Sequence, residues 1–197
     1  QLVLDAQAAA IAAARPGQPY EAIHEAARRV LTEGLVTLGL LPLGVADSLA
    51  MHLYREFYMH GTGHWLGMDV HDVGDYRIRR QSRLLEPGMV LTVEPGLYLD
   101  PDRERVTFHL REYSEEEMWD RRLRLGVAAA KKIEEEERAK ARTAEHPIPP
   151  EYRGIGVRIE DDLLITETGA EILTAGTPKT VEEVEQTCAE PSRLPRL

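Results

Sequence analysis

Hydrophobic residues at helical spacing near the start of the chain predict two helices. The first, Gln1 to Ala14, is rich in alanine and ends before Arg15-Pro16-Gly17, where proline and glycine favour a turn. The second begins at Pro19, because proline is tolerated in the first turn of a helix. Its apolar residues recur about every 3.6 positions and predict one buried face. These residues are Tyr20, Ile23, Ala27, Val30, Leu31, Leu35 and Leu38.

Short runs of apolar and β-branched residues predict the elements that follow. The segment 39–44 begins and ends with glycine and separates the second helix from a short third one. Later runs have the length and composition of strands. The predicted elements are a helix from Val45 to Leu53, strands near residues 68–71, 89–94 and 155–165, and a shorter strand from Glu171 to Thr174.

A last helix is predicted near the end of the chain. Thr180 and Glu183 have the spacing of a capping box, in which each side chain accepts a backbone N–H of the other residue. Val181, Val184 and Cys188 then fall on one face, which we expect to be the inner face of this helix. Cys188 is the only cysteine of the chain, and we expect a buried, unreactive thiol.

The stretch Phe57 to Asp75 concentrates the candidate chemistry, because it holds His60, His64 and His71 among several glycines. His60 and His64 have the four-residue spacing of a metal-binding helix. Two glycines between them argue against a helix, since each costs roughly 1 kcal/mol in a helix interior. We therefore predict a loop that runs into the strand near 68–71.

Alternation along that strand places Asp69 and His71 on one face and Met68 and Val70 on the other. Neutral imidazole is a common ligand of divalent metals, so three histidines this close together favour a site over separate surface histidines. Two histidines outside the stretch are interpreted differently. His24 is expected to be partly exposed, and His52 to be a surface polar residue.

Two later carboxylates complete a candidate ligand set. Glu94 ends an apolar run, and Glu160 is predicted mid-strand among β-branched residues. A carboxylate in such a strand is costly unless it is paired or binds a cation. Arg158 precedes Glu160 by two positions and shares its strand face, so an ion pair between them is one alternative, and a turn position for Glu94 is another. One histidine with two glutamates is also a set that holds Mn²⁺, Co²⁺ or Zn²⁺.

Three blocks of the sequence resemble successive blocks of the Xaa-Pro aminopeptidases, which are pita-bread metallopeptidases of family M24. The blocks are HGTGHWLGMDVHDVG, LEPGMVLTVEPGLY and YRGIGVRIEDDLLIT. The resemblance covers residues 1 to about 102 and about 149 to 187. It implies an α+β fold, in which helices cover one face of a curved, mainly antiparallel sheet.

The resemblance also implies a dinuclear site for two divalent ions, manganese first and cobalt or zinc as alternatives. In this chain His64, Glu94 and Glu160 match metal ligands, and His60 and His71 match histidines that contact the substrate. The family completes its site with two aspartates, which are expected before Gln1. The chain is thus expected to be a fragment without the N-terminal half of the fold, and to be inactive alone.

The implied reaction is release of the N-terminal residue from peptides with proline in second position. Glu94 is suited to accept a proton from the attacking water and to return it to the leaving nitrogen. His71 is suited to stabilise the oxyanion and His60 to orient the substrate. Trp65 is expected to form an apolar wall for the proline ring, with a position in the core as the alternative. Arg158 is expected to contact the metal ligands and hold them in position without binding the metal itself.

Two other functions stay open at this point. Prolidase, which cleaves Xaa-Pro dipeptides, belongs to the same family, and Trp65 with the Gly67-Met68-Asp69-Val70 run favours the aminopeptidase over it. A pita-bread domain without metals would be a binding module. Such a module would not require His60, His64, His71, Glu94 and Glu160 together, and all of these are present.

The net charge of −10 argues against a nucleic acid as partner. No apolar run approaches the roughly 20 residues that span a bilayer, and no signal peptide is visible, so we expect a cytoplasmic protein that binds peptides and not membranes. Residues 1–190 are predicted to form a partial catalytic domain, and residues 191–197 a C-terminal tail.

Residues 103–146 are predicted to be a charged helical insertion in this domain. Acidic and basic residues balance within it. Acid-before-base pairs four residues apart predict ion pairs along the helix, each worth about 0.2–0.5 kcal/mol; they are Glu117/Arg121, Asp120/Arg124, Glu134/Arg138 and Glu136/Lys140. We expect a solvated helix or helical pair that docks by its Trp119 end, against another subunit of a homo-oligomer in one interpretation.

Overall fold

The structure is a computed structural model that describes residues 1–112 and 114–191, without the side chains of residues 115 and 116. Within this part of the chain, helices come first, strands dominate the middle and one helix ends the described region. The helices are α1 (Leu2–Ala13), α2 (Glu21–Thr37), α3 (Val45–Ala50), α4 (Glu115–Leu125), α5 (Val127–Lys140) and α6 (Val181–Ala189), with 3₁₀ turns at Leu53–Glu56 and Pro150–Tyr152.

All strand pairs in the described residues are antiparallel, as the sequence predicted. β3 and β8 pair at the centre with β9 on the other side of β8, β4 pairs with β7, β5 with β6, and β1 with β2. The strands are β1 (Arg77–Ile78), β2 (Gln81–Ser82), β3 (Val90–Val93), β4 (Gly96–Tyr98), β5 (Arg105–Leu110), β6 (Arg142–Pro147), β7 (Gly156–Arg158), β8 (Asp161–Ile165) and β9 (Ala170–Ile172).

The core forms where α1 and α2 pack together beneath the central strands. Leu91 and Val93 of β3 are fully buried, and Gln7 of α1 donates a side-chain hydrogen bond to the Val93 carbonyl at 3.4 Å. The helical face predicted for α2 is confirmed at its centre, since Ile23, Ala27, Leu31 and Leu35 are buried. The remaining buried apolar residues extend this cluster around the histidine-containing stretch 57–75 and include Tyr54, Phe57, Tyr58, Trp65 and Leu163.

The prediction of one strand over 155–165 is wrong in an informative way. The chain forms β7 and β8 with a break at Ile159 and Glu160, and the partner strand breaks at the same level between β3 and β4. The register is nevertheless continuous, because Val93 lies opposite Asp161 and Gly96 lies opposite Arg158. Glu160 therefore occupies a bend between two strands and not the middle of one.

The predicted strand near 68–71 is absent. Residues 67–71 form bends, and Met68, Asp69, Val70 and His71 are all exposed, so the expected alternation is wrong. The segment closes on itself because the Asp72 N–H donates to the Trp65 carbonyl at 3.0 Å. Such a closed loop leaves no extended backbone to pair with a neighbouring strand.

Three predictions about burial are also wrong. His52 is 8% exposed, because it occupies a left-handed turn with φ of 51° that leads from α3 into the 3₁₀ turn at Leu53–Glu56. Cys188 is exposed, and Val181 and Val184 of α6 are 46% and 43% exposed. The capping box of Thr180 and Glu183 is confirmed, so the local sequence predicted the start of this helix correctly. The apolar face of the helix is not buried against any other described residues.

Residues 105–147 form an arm in which the predicted helical pair, α4 and α5, is carried on the hairpin β5–β6. The prediction missed these two strands, and Phe108 of β5 packs edge-on against Phe57 in the core. The predicted docking by Trp119 is confirmed, since the Arg77 guanidinium lies 5.4 Å from its ring centroid. This contact is made to β1 of the same chain.

The ion pairs of the arm differ from those predicted. Asp120 pairs with Arg124 as expected, and also with Arg80 of the β1–β2 turn. The other ion pairs join different elements: Glu137 pairs with Arg121 and Arg111, Glu134 pairs with Arg122, and Arg138 pairs with Glu56. Pairs between α4 and α5 replace pairs along each helix because the two helices lie side by side.

Residues 192–197 lie outside the described residues, and the domain limits 1–190 and 191–197 stay predictions. No helix in the described ranges is long and apolar enough to cross a membrane.

Two histidines make the stability of the fold sensitive to pH. Burial, with a smaller contribution from Arg28 and Arg55, lowers the pKa of His24 and of His52 from 6.5 to about 4. An unfolded imidazole titrates near 6.5, so the unfolded chain takes up these protons first as the pH falls. The stabilisation is therefore complete above about pH 6.5 and is lost as the pH falls towards 4.

We predict that His24 contributes about 2 kcal/mol to the loss of unfolding free energy between about pH 7 and pH 5. Urea unfolding of the wild type and of His24→Gln at both pH values measures it. The variant is less stable than the wild type at pH 7 but loses less stability on acidification. An equal loss in both proteins would show that His24 is not held neutral.

Candidate metal centre

The segment from Thr62 to Leu66 runs antiparallel to β3 and carries the first candidate ligand. The Glu94 N–H donates to the Thr62 carbonyl at 2.7 Å, the Thr92 N–H to the His64 carbonyl at 2.9 Å, and the Leu66 N–H to the Val90 carbonyl at 3.1 Å. The Thr92 hydroxyl accepts the His64 N–H at 3.1 Å. These bonds fix the backbone of His64 beside the strand that leads into Glu94.

Gly63 makes this close approach possible. A Cβ atom at this position would lie 1.9 Å from the Thr92 carbonyl oxygen, a distance that any side chain would have to relieve by moving backbone. The Gly63 carbonyl, on its other side, accepts the Tyr20 hydroxyl at 2.6 Å. The glycine that argued against a helix in the sequence thus serves the packing of two backbones.

Glu94 and Glu160 lie opposite each other at the break in the two ladders. The register that pairs Val93 with Asp161 and Gly96 with Arg158 places position 94 across from position 160. Like charges directly opposite on neighbouring strands are destabilising. Partial desolvation of Glu160, followed by the charges of Glu94 and Asp162, raises the pKa of its carboxyl, although the residue stays exposed to solvent. A cation bound between the two carboxylates would offset this repulsion.

His64 presents a lone pair to these carboxylates. Its Nδ1 lies 3.0 Å from the Trp65 carbonyl oxygen, which can only accept a hydrogen bond. Nδ1 therefore carries the proton, and Nε2 is the free nitrogen of the neutral ring. That Nε2 lies 3.3 Å from Glu94 Oε1. A backbone carbonyl that fixes the tautomer in this way is typical of metal-binding histidines.

The three side chains converge as the sequence predicted. One ligand atom each of His64, Glu94 and Glu160 lies within 4.8 Å of the other two, and this is the group of metal-ligand residues found among the described residues. Glu94 is 9% exposed, so its charge is poorly solvated. Nitrogen and carboxylate oxygens at this separation fit a divalent ion.

Arg158 contacts Glu94. Its Nη1 lies 3.2 Å from Glu94 Oε2, and the ion pair with Glu160 that the sequence left open as an alternative is not formed. Arg158 thus neutralises one oxygen of Glu94 and is not paired with Glu160.

His60 belongs to a chain of hydrogen bonds that the sequence did not reveal. Arg158 Nε donates to the Tyr98 hydroxyl at 2.7 Å, and the Tyr98 hydroxyl is 3.0 Å from His60 Nε2. His60 Nδ1 lies 2.7 Å from the Gly61 carbonyl, so Nδ1 carries the proton and Nε2 accepts from Tyr98. The sequence feature that points to Tyr98 is Gly96, two residues before it. A Cβ atom added at position 96 would lie 2.5 Å from the Tyr98 hydroxyl, so the glycine leaves room for this side chain.

His71 and Trp65 lie on opposite sides of the segment. The exposed loop brings the His71 ring over His64, with centroids 4.2 Å apart in an edge-on contact. Trp65 is 7% exposed, stacks on Tyr76 at 5.3 Å and contacts Tyr20 at 4.8 Å. The indole therefore supports the segment from the core, while its contact with a substrate stays a prediction.

A second group of residues that the sequence did not reveal supports Thr62 from below. The Thr62 hydroxyl contacts the Tyr58 hydroxyl and lies 2.8 Å from His24 Nδ1. Thr62 also accepts the backbone N–H of Glu94, so this network holds the strand end that carries the ligand. His24 is partly exposed, as predicted. Its hydrogen bond to Thr62 could not be predicted, because the two residues are distant in sequence and no local pattern links them.

Comparison with known proteins assigns this chain to a family. The sequence pattern described as "Metallopeptidase family M24" matches residues 1–167, most of the chain. The chain belongs to metallopeptidase family M24. Among M24 relatives, the Xaa-Pro aminopeptidase of Haemophilus influenzae is 40% identical over 185 residues, which are 94% of this chain and 33% of that protein. The human Xaa-Pro dipeptidase is 36% identical over 198 residues, covering 94% of this chain and 34% of its own length.

A solved M24 structure confirms the fold class. The aminopeptidase PepP of Pseudomonas aeruginosa superposes with a TM-score of 0.72 at 42% identity, covering 95% of this chain and 33% of that one. The α+β, pita-bread fold that the sequence predicted is thereby confirmed. The chain spans about a third of the length of these M24 proteins.

The glycine at the close approach gives a test of the geometry of this candidate site. We predict that Gly63→Ala lowers the free energy of unfolding by about 1–3 kcal/mol, because its Cβ forces the segment away from β3. Gly61→Ala is the matched control, since the nearest atom to its Cβ is 3.9 Å away. That control changes stability by less than about 0.5 kcal/mol. Urea unfolding measures both, and equal losses would contradict the close approach.

Proposed function

We propose that His64, Glu94 and Glu160 are ligands of the catalytic metal centre of a Xaa-Pro aminopeptidase. The observation that carries this proposal is the pair of opposed glutamates, facing the free nitrogen of a histidine whose other nitrogen is committed to a carbonyl. The relatives named as Xaa-Pro aminopeptidases support the choice of reaction, since their identity to this chain is higher than that of the dipeptidase.

The chemistry of the donors favours manganese, with cobalt or zinc as alternatives, because two carboxylates and one imidazole form a mixed oxygen and nitrogen set. Two divalent ions at such a centre supply Lewis acidity and a water activated at neutral pH. The charge of Glu94 and Glu160 balances one such ion, so a second ion requires further acids. The two aspartates implied by the family resemblance would provide them.

The side chains of this chain then have separate roles in amide hydrolysis. Glu94 accepts the proton of the attacking water and returns it to the leaving proline nitrogen. Arg158, 3.2 Å from Glu94 Oε2, holds that carboxylate in position. His71 lies over His64 on the open side of the cluster and donates to the developing oxyanion. His60, held by Tyr98, orients the peptide.

The substrate in this proposal is a peptide with proline in second position, as the names of the relatives indicate for those proteins. Trp65 is proposed to shape the wall behind the proline ring through its position beneath the segment. A cytoplasmic location, a homo-oligomer and the absence of nucleic-acid partners stay predictions of the sequence.

Metal binding tests the ligand assignment. Calorimetric titration of the 197-residue chain with Mn²⁺ is expected to show one site, because the cluster in the described residues offers three ligands. Glu160→Gln removes a charged donor and is expected to weaken binding by at least about tenfold. Asp69→Asn, a change of the same type at an exposed acid of the neighbouring loop, leaves the affinity unchanged. Two tight sites in the wild type, or unaltered binding in Glu160→Gln, would contradict the assignment.

Activity tests the reaction. We expect a chimera in which this chain replaces the aligned third of the Haemophilus influenzae enzyme to release the first residue of Xaa-Pro-Yaa tripeptides. Glu94→Gln in the chimera is expected to reduce kcat/KM at least about a hundredfold, the range of a lost general base. A thermal melt of both chimeras controls for folding. Hydrolysis of Xaa-Pro dipeptides alone would favour the prolidase.

A further inference from the structure

A separate cavity lies where the arm of residues 105–147 meets the 3₁₀ turn at Leu53–Glu56. Its volume is about 320 Å³, at the lower end of the range of ligand pockets. The turn and its flanks contribute Arg55, Glu56 and Met59, and the arm contributes Phe108, Arg111 and Arg138. The arm is therefore one of the walls of this cavity.

The cavity is electropositive on an acidic protein. Three arginines and one carboxylate line it, although Arg111 is also paired with Glu137 outside the lining, and the whole chain has a net charge of −10. Glu56 is neutralised by two arginines, since its Oε1 lies 3.0 Å from Arg138 Nη2 and its Oε2 lies 2.9 Å from Arg103 Nη2. Clustered cations with low-dielectric walls attract anions.

Arg55 is available to a ligand. Its side chain is exposed, and in the described ranges it forms no hydrogen bond or ion pair. His109, on the arm, has its Nδ1 3.0 Å from the Arg138 carbonyl, so its Nε2 is the nitrogen that remains for a ligand. Guanidinium groups recognise carboxylates through two parallel hydrogen bonds. Phe108 and Met59 add apolar surface for the body of the same ligand.

This cavity neighbours a second one, which reaches a residue in contact with the candidate active site. A neighbouring cavity of about 410 Å³ shares Glu56 and Met59 with it and is also lined by Tyr98. The Tyr98 hydroxyl is hydrogen-bonded to His60. Arg55 and His60 are five residues apart, so their Cα atoms are separated by at most about 18 Å. An extended peptide of about six or seven residues covers that distance.

We propose that the arginine-lined cavity binds the C-terminal carboxylate of a peptide whose N-terminus lies at the metal centre. The inference rests on the proposed function and adds a preference for oligopeptides over tripeptides. Arg55 acts there as a specificity-determining residue, and the arm supplies the opposite wall with Arg111 and Arg138.

Peptide binding tests the preference directly. The probe is a heptapeptide with proline second and a reduced, non-cleavable first peptide bond, titrated calorimetrically into the Mn²⁺-loaded chain as free acid and as C-terminal amide. The acid is expected to bind about tenfold more tightly, the effect of one charge-assisted bidentate contact. Arg55→Gln removes this advantage. Arg29→Gln, at an exposed arginine of α2 that lines no cavity described above, preserves it.

Succinate distinguishes failure of the cavity from failure of the metal centre. Followed by NMR in the metal-free chain, it is expected to bind the wild type and Arg29→Gln but not Arg55→Gln. If neither peptide binds, the proposed function fails at the metal centre, and succinate binding that depends on Arg55 still supports the cavity. Equal affinity for acid and amide, or succinate binding that survives in Arg55→Gln, overturns the proposal.

Discussion

The antiparallel contact between residues 62–66 and β3 is the constraint on which the candidate site depends. It exists because Gly63 lets two backbones approach more closely than any side chain would allow. Three backbone hydrogen bonds then fix His64 beside the strand that ends at Glu94. A histidine and a glutamate thirty positions apart are thus brought to 3.3 Å without either being placed by a helix.

The second constraint is electrostatic and follows from the sheet register. Position 94 lies opposite position 160, so two carboxylates face each other at a break where both strands bend. In isolation this arrangement is unfavourable: partial desolvation raises the pKa of the Glu160 carboxyl, and the charge of Glu94 raises it further. Arg158 compensates one oxygen of Glu94, and His64 directs a lone pair to the same place. In the proposed function, a divalent cation bound by His64, Glu94 and Glu160 offsets this repulsion.

The sequence predicted which side chains converge better than it predicted the elements that hold them. Residue chemistry and family resemblance pointed to His64, Glu94 and Glu160, and these side chains do converge. The strand near 68–71 was wrong because a hydrogen bond from Asp72 to Trp65 closes a loop that alternation cannot reveal. Tyr98 and the link between His24 and Thr62 were missed because they are contacts between residues distant in sequence. Burial of His52 and exposure of α6 likewise depend on neighbours that local patterns do not specify.

The arm illustrates the same limit on a larger scale. Its helices were predicted from capping and charge spacing, yet its ion pairs connect different elements because α4 and α5 lie side by side. Its two strands were not predicted, although they carry Phe108 into the core and bring arginines to the turn beside His60. Tertiary packing therefore turns a charged segment into one wall of a cavity.

The most direct test of the central claim is the position of a manganese ion in a crystal of this chain, located by anomalous X-ray scattering. We predict an anomalous peak at the point shared by His64 Nε2 and the carboxylates of Glu94 and Glu160, about 2.0–2.3 Å from each ligand atom. His64 Nδ1 should remain bonded to the Trp65 carbonyl. A peak at another cluster, or coordination through Nδ1 of His64, would contradict the account.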